Sequence, residues 1–134
     1  MKKLTVKNVI IGKQFKNSSN YQKLLKIAKQ KKINISIVEA NQKISIEKNI
    51  YFNVLWPNSK EAITENSLNN NSLVCKLVYN NFSMLFTGDI EAIAEKAIIK
   101  KYDGTDLLNS TILKVAHHRV KIIINRRFFK RGKT

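Results

Sequence analysis

Apolar residues along this chain recur first with the period of a strand, then with that of a helix, then with that of a strand again. Val6 to Ile11 is a β-rich apolar run closed by Gly12. Asn17-Ser18-Ser19-Asn20 supplies cap and turn residues, after which Tyr21, Leu24, Leu25, Ile27 and Ala28 fall at helical spacing. Ile33, Ile35 and Ile37 alternate with Asn34, Ser36 and Val38, which predicts a half-buried strand. Ile44 with Ile46, and then Ile50 to Trp56, repeat the period of two. The order predicted to this point is β-α-β-β-β.

Pro57 ends the last of these strands, and residues 58–71 are polar and Asn-rich with no apolar period, which predicts a loop. Ser72 to Tyr79 and Phe82 to Thr87 are two strand patterns separated by Asn80-Asn81, a dipeptide that tolerates the left-handed backbone of a tight hairpin. Beyond Gly88-Asp89, the residues Ile90, Ile93, Ala94, Ala97 and Ile98 share one helical face. Asp89 and Glu91 stand near the start of that helix, where its dipole favours anions. A final strand, Thr111 to Val115, leads directly into His117 and His118. The sequence contains no internal repeat and no domain-scale linker.

Composition changes this picture little. A chain of 134 residues with 43% hydrophobic content suits one globular domain. No run approaches the roughly 18 apolar residues of a membrane-spanning helix, and the N-terminus leads into a strand pattern rather than an apolar signal core. Cys75 is the only cysteine, so an internal disulfide and a cysteine-rich zinc site are both excluded; beside Val74 and Leu77 it reads as a small buried apolar residue. The formal net charge of +16 points toward an anionic partner, but seven of the basic residues and no acidic one lie from Arg119 onward. The lysines at 23, 26, 29, 31 and 32 also match the solvated face of an amphipathic helix.

Candidate chemistry sits where a strand pair runs into Thr87-Gly88-Asp89 and a later strand ends in Ala116-His117-His118. Carboxylate and imidazole are ligands that zinc or manganese accepts, and strand ends bring distant groups to one rim of a sheet. Each element has a plainer explanation. An Asp before a helix is commonly an N-cap, and a histidine pair at a strand end is commonly structural.

The wider order of segments adds to this. Val54-Leu55-Trp56-Pro57, Asn69-Asn70-Asn71-Ser72-Leu73-Val74, Phe82 to Glu91, Ala94-Glu95 and Leu113 to His118 together resemble the metallo-β-lactamase-like domain at the end of bacterial ComEC-type DNA-uptake proteins. The resemblance spans about Val54 to His118 and is weaker before it. It implies that Asp89 is the carboxylate that bridges metals, that one of His117 and His118 is a metal ligand with the other at the substrate pocket, and that Asn71 and Ser72 line that pocket. A divalent ion, zinc or manganese, would lower the pKa of a bound water in such a domain, and the hydroxide would attack a phosphodiester, with DNA as the implied substrate. For Gly88 the plain and the family readings agree, because a residue without a side chain lets backbone pass close to the site.

The sequence departs from that family in two places. The main ligand cluster, His-x-His-x-Asp-His, belongs to the first half of such domains, and nothing like it occurs here; the chain has only two histidines and they are adjacent. A catalytic zinc site takes three protein ligands and an open position. The expectation is therefore half of an αββα sandwich, an α/β fold with one mixed sheet, helices on one face and an open face where a separate N-terminal half would pack. Such a piece, residues 1–118, is expected to be inactive alone. The second departure follows His118, where the family has Gly-Ser and a polar stretch but this chain has Arg119-Val120-Lys121-Ile122-Ile123-Ile124 and more basic residues. A frameshift explains residues 119–134. The alternative is a small nucleic-acid-binding protein whose basic arm, Lys121 to Lys133, uses Phe128 and Phe129 to stack or insert. Against it, the three isoleucines would be exposed in such an arm.

Reading the gene tests the frameshift. The codons AGG GTC AAA ATC for Arg119 to Ile122, read after loss of their first base, restore Gly-Ser directly behind the histidines; codons that cannot do so rule the frameshift out.

Overall fold

The computed structural model of the chain describes residues 4–116. His117, His118 and the segment from Arg119 to Thr134 lie outside the described residues. The elements run β1 (Asn8–Gly12), α1 (Ser19–Gln30), β2 (Asn34–Val38), β3 (Lys43–Glu47), β4 (Ile50–Trp56), α2 (Ser67–Asn70), β5 (Val74–Tyr79), β6 (Phe82–Phe86), α3 (Ala92–Lys101) and β7 (Ile112–Lys114). Every predicted strand and both predicted helices are present, and the fold is mixed α/β with a mostly antiparallel sheet.

Local chemistry accounts for most boundaries. Ser18 caps α1 by accepting a hydrogen bond from the Tyr21 N–H at 3.2 Å, satisfying one of the orphan donors of the first turn. Asn49 and Asn80 take positive φ values of 65° and 48° in the β3–β4 and β5–β6 connections, a conformation that asparagine tolerates better than most residues. The loop predicted over residues 58–71 holds one short helix, α2. Its four residues carry no apolar period, so nothing in the local sequence announces it.

The strands form two sheets rather than the single one expected. β1 and β2 pair in parallel around α1, from Asn8↔Asn34 to Gly12↔Val38. The other five lie in the order β3-β4-β5-β6-β7, antiparallel except for the β6–β7 pair, which α3 connects as a crossover. Backbone bonds between residues 40–42 and the end of β4 tie the two sheets together, including Ala40 N to Pro57 O at 2.7 Å and Val54 N to Gln42 O at 2.8 Å. The Trp56–Pro57 bond is cis. Gly12, at the end of β1, has Pro57 and Leu73 so close that a Cβ would lie 3.1 and 3.3 Å from them.

Pleating sorts the five-stranded sheet into two faces. One carries Leu55, Trp56, Val74 and Leu85, which pack with Ile90, Ala94, Ile98, Ile99 and Tyr102 from α3 and its flanks to make the core. Tyr102 is buried there, and its hydroxyl donates to the Leu55 carbonyl at 2.7 Å. Registered pairs set a second row, Ile44, Phe52, Leu77, Met84 and Ile112, on the opposite face. That row is also apolar, yet Phe52, Leu77 and Met84 are only half-buried and Ile112 is exposed. On this second face Val54 and Cys75, at the rim end, are buried, while the row from Phe52 to Ile112 is only partly covered among the described residues; α3 packs on the other face.

Burial pushes the Cys75 thiol up to about 11, and burial with the nearby Glu61 charge pushes the Tyr102 phenol up to about 12. Both groups bind their protons more tightly folded than unfolded, so their contribution is complete below pH 9 and is lost as pH rises through 11 and 12. Urea titrations should therefore give level stability from neutral pH to about 9 and a decline above it. Cys75→Ala should flatten the first part of that decline; an unchanged profile in this variant contradicts the assignment.

Candidate functional site

The rim formed by the start of β5, the end of β6 and the end of β7 gathers the sequence candidates that the structure describes. Because β6 and β7 are parallel, their C-terminal ends open on the same side. Thr87, buried just past β6, donates from its hydroxyl to the Lys114 carbonyl at 2.9 Å. That bond pins the end of β7 beside the Gly88-Asp89 turn, three residues before His117.

Gly88 makes the turn possible. Its φ of +56° is in the left-handed region, and a Cβ there would lie 2.7 Å from Ser72 Cβ and 3.2 Å from the Leu73 carbonyl oxygen. The Ser72 hydroxyl accepts a hydrogen bond from the Asp89 N–H at 3.3 Å. The Ser72 side chain and the Asp89 backbone, seventeen residues apart, thus meet, and Asp89 is half-buried at the rim.

Asn71 has another occupation. Its side chain accepts from the Ile63 N–H at 3.0 Å and donates to the Ile63 and Ser67 carbonyls at 2.7 and 2.8 Å. The amide expected to line a substrate pocket is therefore engaged in holding residues 63–67 against the start of β5.

Sequence reasoning missed the residues that do most to hold this rim. Asn70 is fully buried: its side-chain oxygen accepts from the Glu91 N–H at 2.9 Å, and its amide donates to the Glu65 carbonyl at 2.8 Å and to the Glu91 carboxylate at 3.1 Å. Its backbone carbonyl accepts from the Trp56 indole at 2.8 Å. Asn66 donates to the other Glu91 carboxylate oxygen at 2.8 Å. Glu91, read from sequence as a charge complementing the helix dipole, is the hub where the 66–70 segment meets α3. The signal was the asparagine run itself, whose separate roles only long-range partners define.

Among the described residues no group of three or more His, Cys, Asp or Glu could hold a metal ion. The chain's candidate donors, Asp89 and one histidine of the adjacent pair, are two, short of the three ligands and open position that catalytic zinc takes. They do not fit a complete metal site, and no hydrolytic step is assigned to them. A cavity of about 230 Å³ lined by Asn41, Asn53, Leu55 and Tyr102 lies toward the C-terminal end of α3, away from the end that Asp89 precedes. No helix among the described residues is long and apolar enough to cross a membrane. No family model, curated protein or solved structure matches the chain.

Two substitutions test the rim's architecture by chemical denaturation. Gly88→Ala should cost about 2 kcal/mol or more, from left-handed strain and the Ser72 contact together. Asn70→Ala should cost about 2–4 kcal/mol by stranding the Glu91 N–H and the Glu65 carbonyl. Losses below about 0.5 kcal/mol for both would mean that this turn is not held as described.

Proposed function

We propose that residues 1–118 are the second half of a metallo-β-lactamase-like, ComEC-type domain, a metal-dependent phosphodiester hydrolase whose substrate is DNA, and that this half is inactive alone. The observation that carries the proposal is the meeting of Ser72, Gly88-Asp89 and the end of β7 at one rim. Segments that the resemblance groups around a metal are far apart in sequence, and a convergent rim is what that grouping requires. Asp89, with one of His117 and His118, would contribute to a site for zinc or manganese, completed by ligands that this chain does not contain. The ion, once bound in a complete domain, would supply an activated water.

A second observation supports the half-domain part of the proposal. The apolar row Ile44, Phe52, Leu77, Met84 and Ile112 gives the sheet a second face that another layer would cover. Residues 119–134 play no part in this function. The alternative is a small basic nucleic-acid-binding protein with an arm at Lys121 to Lys133, a segment that lies outside the described residues.

Cobalt(II) titration monitored by absorbance tests the proposed ligands. The full chain should bind weakly, Asp89→Asn and the double substitution His117→Ala/His118→Ala should each lower affinity about tenfold or more, and no variant should hydrolyse an activated phosphodiester. Binding that all three proteins share equally contradicts the ligand assignment; hydrolysis by the parent chain contradicts the claim of inactivity.

A further inference from the structure

Ten lysines and no acidic residue occupy residues 1–38, whereas residues 39–118 hold eight lysines against nine acidic residues. The charge excess is therefore segregated. One block is the β1-α1-β2 unit, a second is the segment after His118, and the five-stranded sheet between them is close to neutral. Lys23, Lys26 and Lys29 on α1, with Lys31 and Lys32 just past its end, are all exposed.

Solvation alone does not account for this face. A surface helix that merely meets water interleaves both signs of charge, and like charges three residues apart, as in Lys23/Lys26 and Lys26/Lys29, weaken the helix that carries them. The helix dipole favours cations only in the last turn, which covers Lys29. The remaining lysines gain nothing from the dipole, and the helix offers them no acidic partner.

The outward face also selects the partner. It presents Ser19, Asn20, Gln22 and Gln30 among the lysines, and Ile27 is the only large apolar residue of α1 that is exposed. A helix that lies in a bilayer surface needs a row of Leu, Phe or Trp to embed. Hydroxyl, amide and ammonium donors without such a row suit phosphate and sugar oxygens instead. Twelve residues of helix extend about 18 Å, and a duplex carries one charge per about 1.7 Å of axis, so this face spans on the order of ten phosphates.

We propose that the lysine face of α1, continued by Lys31 and Lys32, binds the phosphate backbone of double-stranded nucleic acid without sequence preference. The surface is distinct from the Asp89 rim and needs no metal, so it stands or falls apart from the hydrolase assignment.

Fluorescence anisotropy of a short labelled duplex, titrated with the full chain in chelator across a range of salt, tests it. Lys23→Gln/Lys26→Gln/Lys29→Gln should bind at least about tenfold more weakly and reduce the slope of log affinity against log salt by about 2 to 3. Glutamine is nearly as good a helix former as lysine, so circular dichroism should be unchanged. Arginine at the same three positions should preserve binding and slope, which separates charge from fold. A companion variant, Arg126→Gln/Arg127→Gln/Lys130→Gln, neutralises part of the other block. Three results overturn the proposal: duplex binding unaffected by the α1 glutamines, duplex binding abolished by the companion variant alone, or α1-dependent binding to phosphatidylserine vesicles with none to duplex.

Discussion

Asn70 is the residue on which the rest of the rim depends. Its backbone carbonyl holds the Trp56 indole at the end of β4, while its side chain holds the loop at Glu65 and both the backbone and carboxylate of Glu91 at the start of α3. Three segments, the end of β4, the 65–70 loop and the start of α3, therefore meet at one buried asparagine. A buried amide left partly unpaired is costly, so these partners specify one another and admit few alternative arrangements. Ser72 and Gly88-Asp89 sit immediately beside this junction, and their placement inherits its rigidity.

The same junction orients the core. Trp56 and Ile90, on either side of Asn70's contacts, both belong to the buried cluster that joins α3 to the sheet. Packing and polar satisfaction thus act together: the helix is docked by Ile90, Ala94 and Ile98 and its first turn is fixed by Asn70. Ile93, on the same predicted stripe, remains 42% exposed, which shows that docking tilts the buried stripe toward 90, 94 and 98. On the other face Val54 and Cys75 are buried, but Phe52, Leu77 and Met84 are only half-buried among the described residues. Burying the half-exposed part of that face under a further layer would add to the sheet's stability.

Charge follows a different division from packing. The five-stranded sheet and α3, where the candidate rim lies, are nearly neutral, and the β1-α1-β2 unit carries only lysines. α1 buries a single residue, Ala28, so a core constrains few of its positions. The unit connects to the sheet through backbone bonds at residues 40–42 and the close approach of Gly12 to Pro57 and Leu73, contacts that restrict its position without using its charged face.

Elements whose cause is local were legible in the sequence. The β5–β6 hairpin followed from two alternating runs around Asn80-Asn81, α1 from its Ser18 cap and apolar spacing, and α3 from Ile90, Ala94 and Ile98, because periodicity and turn chemistry act over a few residues. The resemblance implied Asp89, Asn71 and Ser72 as site residues, and the structure brings the Ser72 hydroxyl to the Asp89 N–H. Tertiary structure alone decided the division into two sheets, since alternation states which residues of a strand share a face but not which strands pair. It also decided the helix at Ser67–Asn70, the engagement of Asn71 within its own loop, and the bridging of Asn70 to Glu91. The physical reason is common to all of these: a polar residue carries no period, and its role is set by the partner that satisfies it, which for Asn70 lies twenty-one residues away.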